Sequence, residues 1–362
     1  MDEYERDSEN EQEDVLDLDE IMRQFGVSEW SNLGPLATPH SDQLSLLVDI
    51  QGERYVLKER PEGPIGEDTA ERYRFRHYLH AAGIPTPSFW KTPQGEPAVA
   101  IGDDFFELEQ WIDGEAFDTQ DARSRDLVAA AGHMLARLHL VSRRYKGSVI
   151  RWPSEAHMGG LVQGYLNLAR GRAEASEVEA LAAALADWCD QWEAVLPAAM
   201  MSIGSVHGLP EMHIHGDYRP VNLRFGTQEV NAVLNLEASH WEKRIFEVAY
   251  GLFCFSALDW QPEHRLTRPL VKRGLDPERA ALFLQAYSAI YPPVRDEASI
   301  IADALSLVAP ILTINGPLED LFFTQGGIDE ALIDDVFERL AWATSLPSWL
   351  QKVRKQLAEM WG

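Results

Sequence analysis

The chain has 362 residues, of which 45% are hydrophobic and 25% are charged, and its net charge is −26 at pH 7. The length predicts two domains or lobes, and the composition excludes a wholly disordered chain, a collagen-like repeat and a disulfide-rich scaffold. So acidic a chain would repel a phosphate backbone, which argues against a nucleic-acid partner. A cationic small substrate and simple solubility both agree with the charge.

The N-terminus is strongly acidic, with eleven acidic side chains and one basic side chain in residues 1–20. Such a segment repels itself and has little apolar surface, so we expect a largely disordered tail over residues 1–28. Disorder is expected over 1–14, with a short helix starting after Val15. The tail lacks the basic start and apolar core of a signal peptide. The longest nearly apolar stretch, 304–314, is shorter than the roughly 18 residues of a membrane span, so we expect no membrane segment and a cytoplasmic location.

The first third of the chain shows strand patterns. Residues 43–49 and 54–59 flank Gln51-Gly52, an arrangement typical of a β-hairpin. Two further strands are predicted at 98–101 and 105–109. These segments predict a small antiparallel sheet.

One helix interrupts that sheet in the sequence. Asp68 is the expected N-cap, and Glu71 follows three residues later as in a capping box. Phe75, Tyr78 and further apolar residues recur at helical spacing, and Gly83 ends the pattern.

The character changes after residues 110–114, which we interpret as a hinge. Helical periodicity covers 127–138 and 178–192, strands alternate over 211–236, and the chain is predicted to be helical from Phe246 onward. The fold class predicted is α+β, with a small antiparallel-sheet lobe that carries one helix and a large, mainly helical lobe.

The most informative motif is HGDYRPVNLRF, residues 215–225. An aspartate followed five residues later by an asparagine, on a loop between short strands, is typical of phosphoryl transfer. Asp217 would orient or accept the proton of an acceptor hydroxyl, and Asn222 would coordinate a magnesium ion. The same spacing also occurs in polar loops that have no catalytic role.

The context of this motif resembles the aminoglycoside phosphotransferase and choline kinase-like family, small-molecule relatives of protein kinases. The resemblance runs in order from about residue 30 to residue 255. It rests on the segments YVLKE (55–59), FELEQWIDGEAF (106–117), LARLH (135–139), HGDYRPVNLRF (215–225) and NAVLNLEASHWEKRIFEVAY (231–250). It implies a two-lobed, protein-kinase-like fold.

The resemblance also implies roles for residues of the first lobe. Lys58 would contact the α- and β-phosphates of ATP. Glu71 would pair with this lysine, although the capping box explains Glu71 equally well. Gln110, Trp111 and Ile112 would form the hinge, where backbone groups would bind adenine.

The chain departs from the family at its metal site. The metal-binding aspartate of the family falls on Asn235, which keeps a carbonyl oxygen but lacks the negative charge that holds a hard cation. On a continuing strand Glu237 would point to the same side as Asn235 and supply the missing carboxylate. Glu247 takes the place of an aspartate twelve residues further on. Asn235 therefore leaves open a weakened enzyme, a metal site rebuilt around Glu237, a non-catalytic relative, or a deliberately inactivated variant.

We therefore expect an enzyme that uses ATP and Mg²⁺ to phosphorylate a hydroxyl of an aminoglycoside-, choline- or hydroxy-amino-acid-like molecule. The alternative is a kinase-like protein that binds nucleotide and is catalytically impaired or silent. The expected domains are the tail (1–28), the first lobe (29–112) and the second lobe (113–362), with a catalytic loop at 213–225 and a metal-binding strand at 230–237.

Overall fold

The computed structural model describes residues 17–36, 44–60, 66–150, 158–261, 264–269, 275–314, 318 and 333–362. The expected disorder of residues 1–14 lies outside these ranges. From Asp17 the segment expected to be a tail is folded: helix α1 spans Leu18–Gln24, and the Asp17 side chain accepts a hydrogen bond from the Glu20 N–H as its N-cap.

A first compact unit comprises the chain up to residue 64 together with residues 88–111. Its five-stranded sheet is antiparallel throughout and has the order β1-β2-β3-β5-β4. The strands are β1 (Ser31–Pro35), β2 (Ser45–Ile50), β3 (Glu53–Arg60), β4 (Ala98–Ile101) and β5 (Asp104–Gln110). Gln51 and Gly52 both have positive φ in the turn between β2 and β3, as the predicted hairpin requires.

The two faces of this sheet differ in chemistry because side chains alternate along each strand. Leu57 and Leu108 are paired across β3 and β5 and share a hydrophobic core with Phe25, just beyond α1. The opposite face carries charged side chains of the same two strands, including Lys58 and Glu109.

A second compact unit comprises residues 65–87 and 112–362. Its described helices are α2 (Glu67–Ala81), α3 (Ser124–Ser142), α4 (Met158–Ala175), α5 (Glu179–Glu193), α6 (Leu196–Ser205), α7 (Arg244–Ala257), α8 (Pro277–Ser288), α9 (Ile301–Leu312) and α10 (Ile333–Trp361). Three antiparallel strand pairs accompany them: β6 (Glu211–Ile214) with β9 (His240–Lys243), β7 (Leu223–Phe225) with β8 (Val230–Val233), and β10 (Leu258–Gln261) with β11 (His264–Pro269). The α+β class, with an antiparallel sheet and a mainly helical second part, is confirmed.

Two local predictions are wrong. Helix α2 begins at Glu67 after an N-cap at Gly66 that makes no side-chain cap bond, so there is no capping box at Asp68 and Glu71. The pair β10–β11 lies in the region predicted to be helical after Phe246.

Helices α3 and α8 approach each other closely at Gly132. A Cβ added to Gly132 would lie 2.3 Å from the backbone oxygen of Phe283, and real Cβ atoms do not come so near. The absence of a side chain is therefore what permits this crossing. Across the described ranges, no helix combines the length and apolarity that crossing a membrane requires.

Candidate functional site

The HGD motif forms a tight loop between β6 and β7, which we call the 215–222 loop. Gly216 has φ +87°, and a Cβ there would lie 2.0 Å from the backbone oxygen of Ala238. Only glycine meets both conditions without strain. The loop ends in a 3-10 turn over Pro220–Asn222 that leads directly into β7.

His215 orients this loop through both ring nitrogens. Its Nε2 lies 2.8 Å from the backbone oxygen of Leu234, and its Nδ1 accepts a hydrogen bond from the Asp217 N–H at 3.2 Å. Because a carbonyl oxygen can only accept, Nε2 carries the hydrogen and the ring is the neutral tautomer. His215 thus connects the loop to the segment that follows β8.

Glu247, on α7, anchors the backbone of the 215–222 loop. Its carboxylate accepts hydrogen bonds from the backbone N–H groups of His215 (3.1 Å) and Gly216 (2.6 Å), and it lies 2.7 Å from Nε2 of His139. Burial opposes ionisation of Glu247, but the hydrogen bond from His139 and the other donors lower its pKa below the ordinary value. The ionised carboxylate therefore holds the loop backbone in place.

The anchor continues into a buried polar chain. The Tyr287 hydroxyl on α8 lies 2.7 Å from Nδ1 of His139, and Arg244 donates to the same hydroxyl at 3.5 Å. Arg244 also makes two hydrogen bonds to Glu297, at 2.9 and 2.6 Å, with both side chains fully buried. These contacts join α3, α7 and α8 behind the loop.

Asp217 is held by three side chains. Tyr250 on α7 donates to its Oδ1 at 2.5 Å, Asn222 donates to its Oδ2 at 2.7 Å, and Nε of Arg219 lies 2.9 Å from Oδ2. Burial, followed by the nearby Asp217 charge, raises the pKa of Tyr250 well above its ordinary value, so its hydroxyl remains a donor. The Asp217 side chain is still 23% exposed. It can therefore receive a hydroxyl group from solution in a defined orientation.

The orientation of the Asn222 amide follows from its partners. Its Nδ2 donates to Oδ2 and, at 2.8 Å, to the backbone oxygen of Asp217, both of which can only accept. The Asn222 oxygen must therefore face the other way. There it accepts a hydrogen bond from Nδ2 of Asn235 at 2.8 Å.

Asn235 and Glu237 do not lie on a continuing strand. Strand β8 ends at Val233, Asn235 adopts the left-handed conformation (φ 56°, ψ 65°), and a 3-10 turn covers Leu236–Ala238. Asparagine adopts this conformation more readily than most residues. The inference that Glu237 points to the same side as Asn235 because of strand alternation is therefore wrong.

Two of the residues expected to hold magnesium, Asn222 and Asn235, do not fit a hard cation as they stand. The oxygen of Asn222 is already hydrogen-bonded to an amide N–H of Asn235, and both groups are neutral. Mg²⁺ in proteins is bound chiefly through carboxylates, with octahedral geometry. Asn222 and Asn235 therefore offer a hard cation no carboxylate, and the Asn222 oxygen already accepts a hydrogen bond from Asn235.

In the first unit, Lys58 has a carboxylate partner within its own sheet. Its Nζ lies 2.9 Å from Oε2 of Glu109 on β5, and the Glu109 side chain is 3% exposed. Arg60 and Glu107 form a second pair at 2.7 Å on the same two strands. Two cations of β3 are thus held by two buried acids of β5.

Glu71 is buried within the second unit. Its carboxylate accepts hydrogen bonds from the Tyr145 hydroxyl at 2.6 Å and from Nε of Arg74 at 2.9 Å. Burial raises the pKa of Glu71, but the hydrogen bonds from Tyr145 and Arg74 outweigh it and lower the pKa overall. These contacts connect α2 to the segment after α3.

At the expected hinge, two backbone donors are already engaged. The Gln110 N–H donates to the Ser88 oxygen and the Trp111 N–H donates to the Arg54 oxygen, both at 2.9 Å. Three residues were expected to bind adenine through backbone groups. The prediction that one of them donates its N–H to adenine therefore now rests on Ile112.

Sequence reasoning missed Tyr250, Arg219 and Glu109. Tyr250 lies one turn after Glu247 on α7, so the two share a helix face. Once Glu247 was aligned with the family, that spacing was the signal that could have identified Tyr250. Arg219 lies inside the motif HGDYRPVNLRF itself, whereas nothing local distinguishes Glu109 from other strand acids.

A family model described as the phosphotransferase enzyme family matches residues 36–299. The search of curated proteins gives no match.

Solved structures of kinases share the fold. The microcompartment-associated aminopropanol kinase is 12% identical, with a TM-score of 0.65, and the alignment covers 92% of this chain and 97% of that one. An aminoglycoside phosphotransferase from Alicyclobacillus acidocaldarius is 16% identical (TM-score 0.63, coverage 95% and 97%). Amicoumacin kinase, solved with AMP-PNP, Ca²⁺ and Ami, is 14% identical (TM-score 0.59, coverage 90% and 87%).

Proposed function

Because the chain belongs to the phosphotransferase enzyme family, we propose that it transfers the γ-phosphoryl group of ATP to a hydroxyl of a small molecule. The observation that carries this proposal is Asp217, a partly exposed carboxylate with its two oxygens oriented by Tyr250, Asn222 and Arg219. A carboxylate placed in this way can orient an acceptor hydroxyl and take its proton as the phosphoryl group arrives.

The residues of the loop divide this task. Asp217 contacts the acceptor, while Tyr250 and Asn222 restrict its rotation, so that the acceptor oxygen is presented in one direction. Glu247 holds the loop backbone through the N–H groups of His215 and Gly216. In the first unit, Lys58 supplies a fixed positive charge for the nucleotide phosphates, with Glu109 setting its position.

We further propose that the acceptor is an alcohol that carries an amine. The net charge of −26 favours the approach of cations over anions. Two structurally similar proteins are named for aminopropanol and aminoglycoside substrates. Amino sugars, choline-like amines and hydroxy amino acids therefore form the first panel to test.

The test is Asp217→Asn, assayed for phosphorylation of that panel and for binding of AMP-PNP. Transfer should fall by at least about 100-fold, the usual contribution of general-base catalysis, while nucleotide binding changes little. The matched control is Asp190→Asn, which changes an exposed aspartate of α5. Equal loss in both variants, or full activity in Asp217→Asn, would contradict the assignment.

A second candidate function is nucleotide binding with impaired transfer. It is favoured by the hydrogen bond between Asn235 and Asn222 where the family resemblance places a metal site. Tight AMP-PNP binding without phosphorylation of any panel member, in magnesium or manganese, would favour this second function.

A further inference from the structure

The side chains of Asn222 and Asn235, which we call the amide pair, face each other where the family resemblance places a cation. We propose that the Asn235 N–H takes the place of that cation, so that this chain binds its nucleotide without a divalent metal. The part concerning the nucleotide rests on the proposed function.

The first step of the argument is that the contact has a fixed polarity. The Asn222 Nδ2 group donates both of its hydrogens to Asp217, to Oδ2 at 2.7 Å and to the backbone oxygen at 2.8 Å. Its side-chain oxygen is therefore the only group of the amide that can face Asn235. The group at 2.8 Å from this oxygen must carry a positive partial charge, and the amide N–H of Asn235 supplies it.

The second step is what an aspartate at 235 would do. It would bring a carboxylate oxygen towards the Asn222 oxygen, and two acceptors at hydrogen-bonding distance repel each other. A divalent cation between them removes the repulsion, and a carboxylate with an amide oxygen suits Mg²⁺ or Mn²⁺. The amide hydrogen and the metal are therefore alternatives at this position.

The third step concerns the backbone. Asn235 has positive φ, and both asparagine and aspartate adopt this conformation more readily than other non-glycine residues. Asn235→Asp therefore exchanges the chemistry of the amide pair without forcing a new turn. Asn235→Gly keeps the same backbone and removes the amide altogether.

The first experiment measures thermal denaturation without nucleotide, in EDTA, in MgCl₂ or MnCl₂, and in KCl of equal ionic strength. The wild type should show the same melting temperature in all of them. Asn235→Asp should melt lower than the wild type in EDTA and regain at least about 2 °C with Mn²⁺, because a ligand bound only by the folded state stabilises it. Asn167→Asp, which adds the same charge on the exposed face of α4, should show no such recovery.

The second experiment measures AMP-PNP affinity by calorimetry with MgCl₂ and with EDTA. The wild-type dissociation constant should agree within about threefold between the two buffers, whereas that of Asn235→Asp should be at least about tenfold tighter with Mg²⁺. Asn235→Gly should show no gain from Mg²⁺, because it adds no carboxylate.

The two readouts separate failure of this proposal from failure of the proposed function. If no nucleotide binds in either buffer, the proposed function fails, and the melting temperatures alone still decide the amide pair. A wild type that is stabilised by Mn²⁺, or that binds AMP-PNP more than about tenfold tighter with Mg²⁺, overturns the proposal. So does a folded Asn235→Asp that gains nothing from either metal. If that variant does not fold, the wild-type measurements stand as the test.

Discussion

The hydroxyl of Tyr250 donates a hydrogen bond to Oδ1 of Asp217 across 2.5 Å. Tyr250→Phe removes this donor and keeps the ring. The Asp217 carboxylate can then rotate, and binding of the acceptor hydroxyl must fix its orientation. We expect kcat for phosphoryl transfer to fall by about 10- to 100-fold, since a hydrogen bond to a charged group contributes about 1.5–3 kcal/mol. The KM for nucleotide should not change.

The control for this variant is Tyr78→Phe. Tyr78 donates to the backbone oxygen of Val141 and, within the described ranges, makes no hydrogen bond to the 215–222 loop. Comparable kcat losses in both variants would mean that Tyr250 acts through general stability instead of through Asp217.

Gly216 should tolerate no side chain. Gly216→Ala combines a positive φ with a clash against Ala238, so we expect a loss of about 3 kcal/mol in the free energy of unfolding and loss of activity. Gly208→Ala is the matched control, because Gly208 also has positive φ (75°) but open space around its Cβ position. It should lose only about 1 kcal/mol by urea denaturation. Similar losses at both positions would show that the close approach to Ala238 does not matter.

Glu247→Gln should destabilise the fold by about 3 kcal/mol, because the amide cannot accept from all three donors that the carboxylate satisfies. Glu193→Gln, at a partly exposed pair with Arg170, should cost at most about 1 kcal/mol. The pKa of Glu247 is lowered in the folded state. Its contribution to the free energy of unfolding is therefore complete above its ordinary pKa, about 4.5, and is lost as the pH falls through its pKa in the folded state. In acid, therefore, the difference between wild type and Glu247→Gln should shrink. A constant difference would contradict the ionised anchor.

His213 should make the free energy of unfolding depend on pH in a higher pH range than Glu247 does. Its Nε2 accepts from the Ile150 N–H at 3.4 Å, its ring contacts Phe75 and Tyr145, and burial lowers its pKa. The neutral form is favoured in the folded state. Stability is therefore complete above the ordinary histidine pKa, about 6.5, and falls below it by at most about 1.4 kcal/mol for each pH unit.

His213→Gln should reduce this slope below about pH 6.5, measured by urea denaturation. The slope should not vanish, because burial lowers the pKa of His240 as well. His133→Gln, at an exposed site of α3, serves as the control. An unchanged slope in His213→Gln would assign the pH dependence to other groups.

The helix α3, the β2–β3 hairpin and the spacing of the loop residues were predicted well, because each depends on residues close together in the sequence. The spacing of Leu127, Ala131 and Leu138 predicted α3, and these side chains are fully buried. The β2–β3 hairpin followed from two strand patterns separated by Gln51-Gly52, in which the glycine readily adopts positive φ. Asp217 and Asn222 were identified by their spacing, and they are hydrogen-bonded in the structure.

The wrong predictions came from assuming that a local pattern continues. Alternation over 230–236 suggested one strand, but Asn235 turns the backbone and ends the alternation before Glu237. The capping-box spacing at Asp68 and Glu71 was present, but Glu71 is buried against Tyr145 and contributes no cap. Tertiary contacts with residues distant in sequence decided both cases, and no short window contains them.

The crossing of α3 and α8 at Gly132 has a consequence for the loop that lies beyond it. His139 follows Gly132 by about two turns along α3, and Tyr287 follows Phe283 by about one turn along α8. A side chain at 132 would push the two helices apart and lengthen the 2.7 Å contact between His139 and Tyr287. The reach of His139 towards Glu247 would change with it. The size of the side chain at position 132 would therefore set the catalytic rate from a distance. Variants at 132 that still fold would form a graded series of activities, although all of them keep the same catalytic groups.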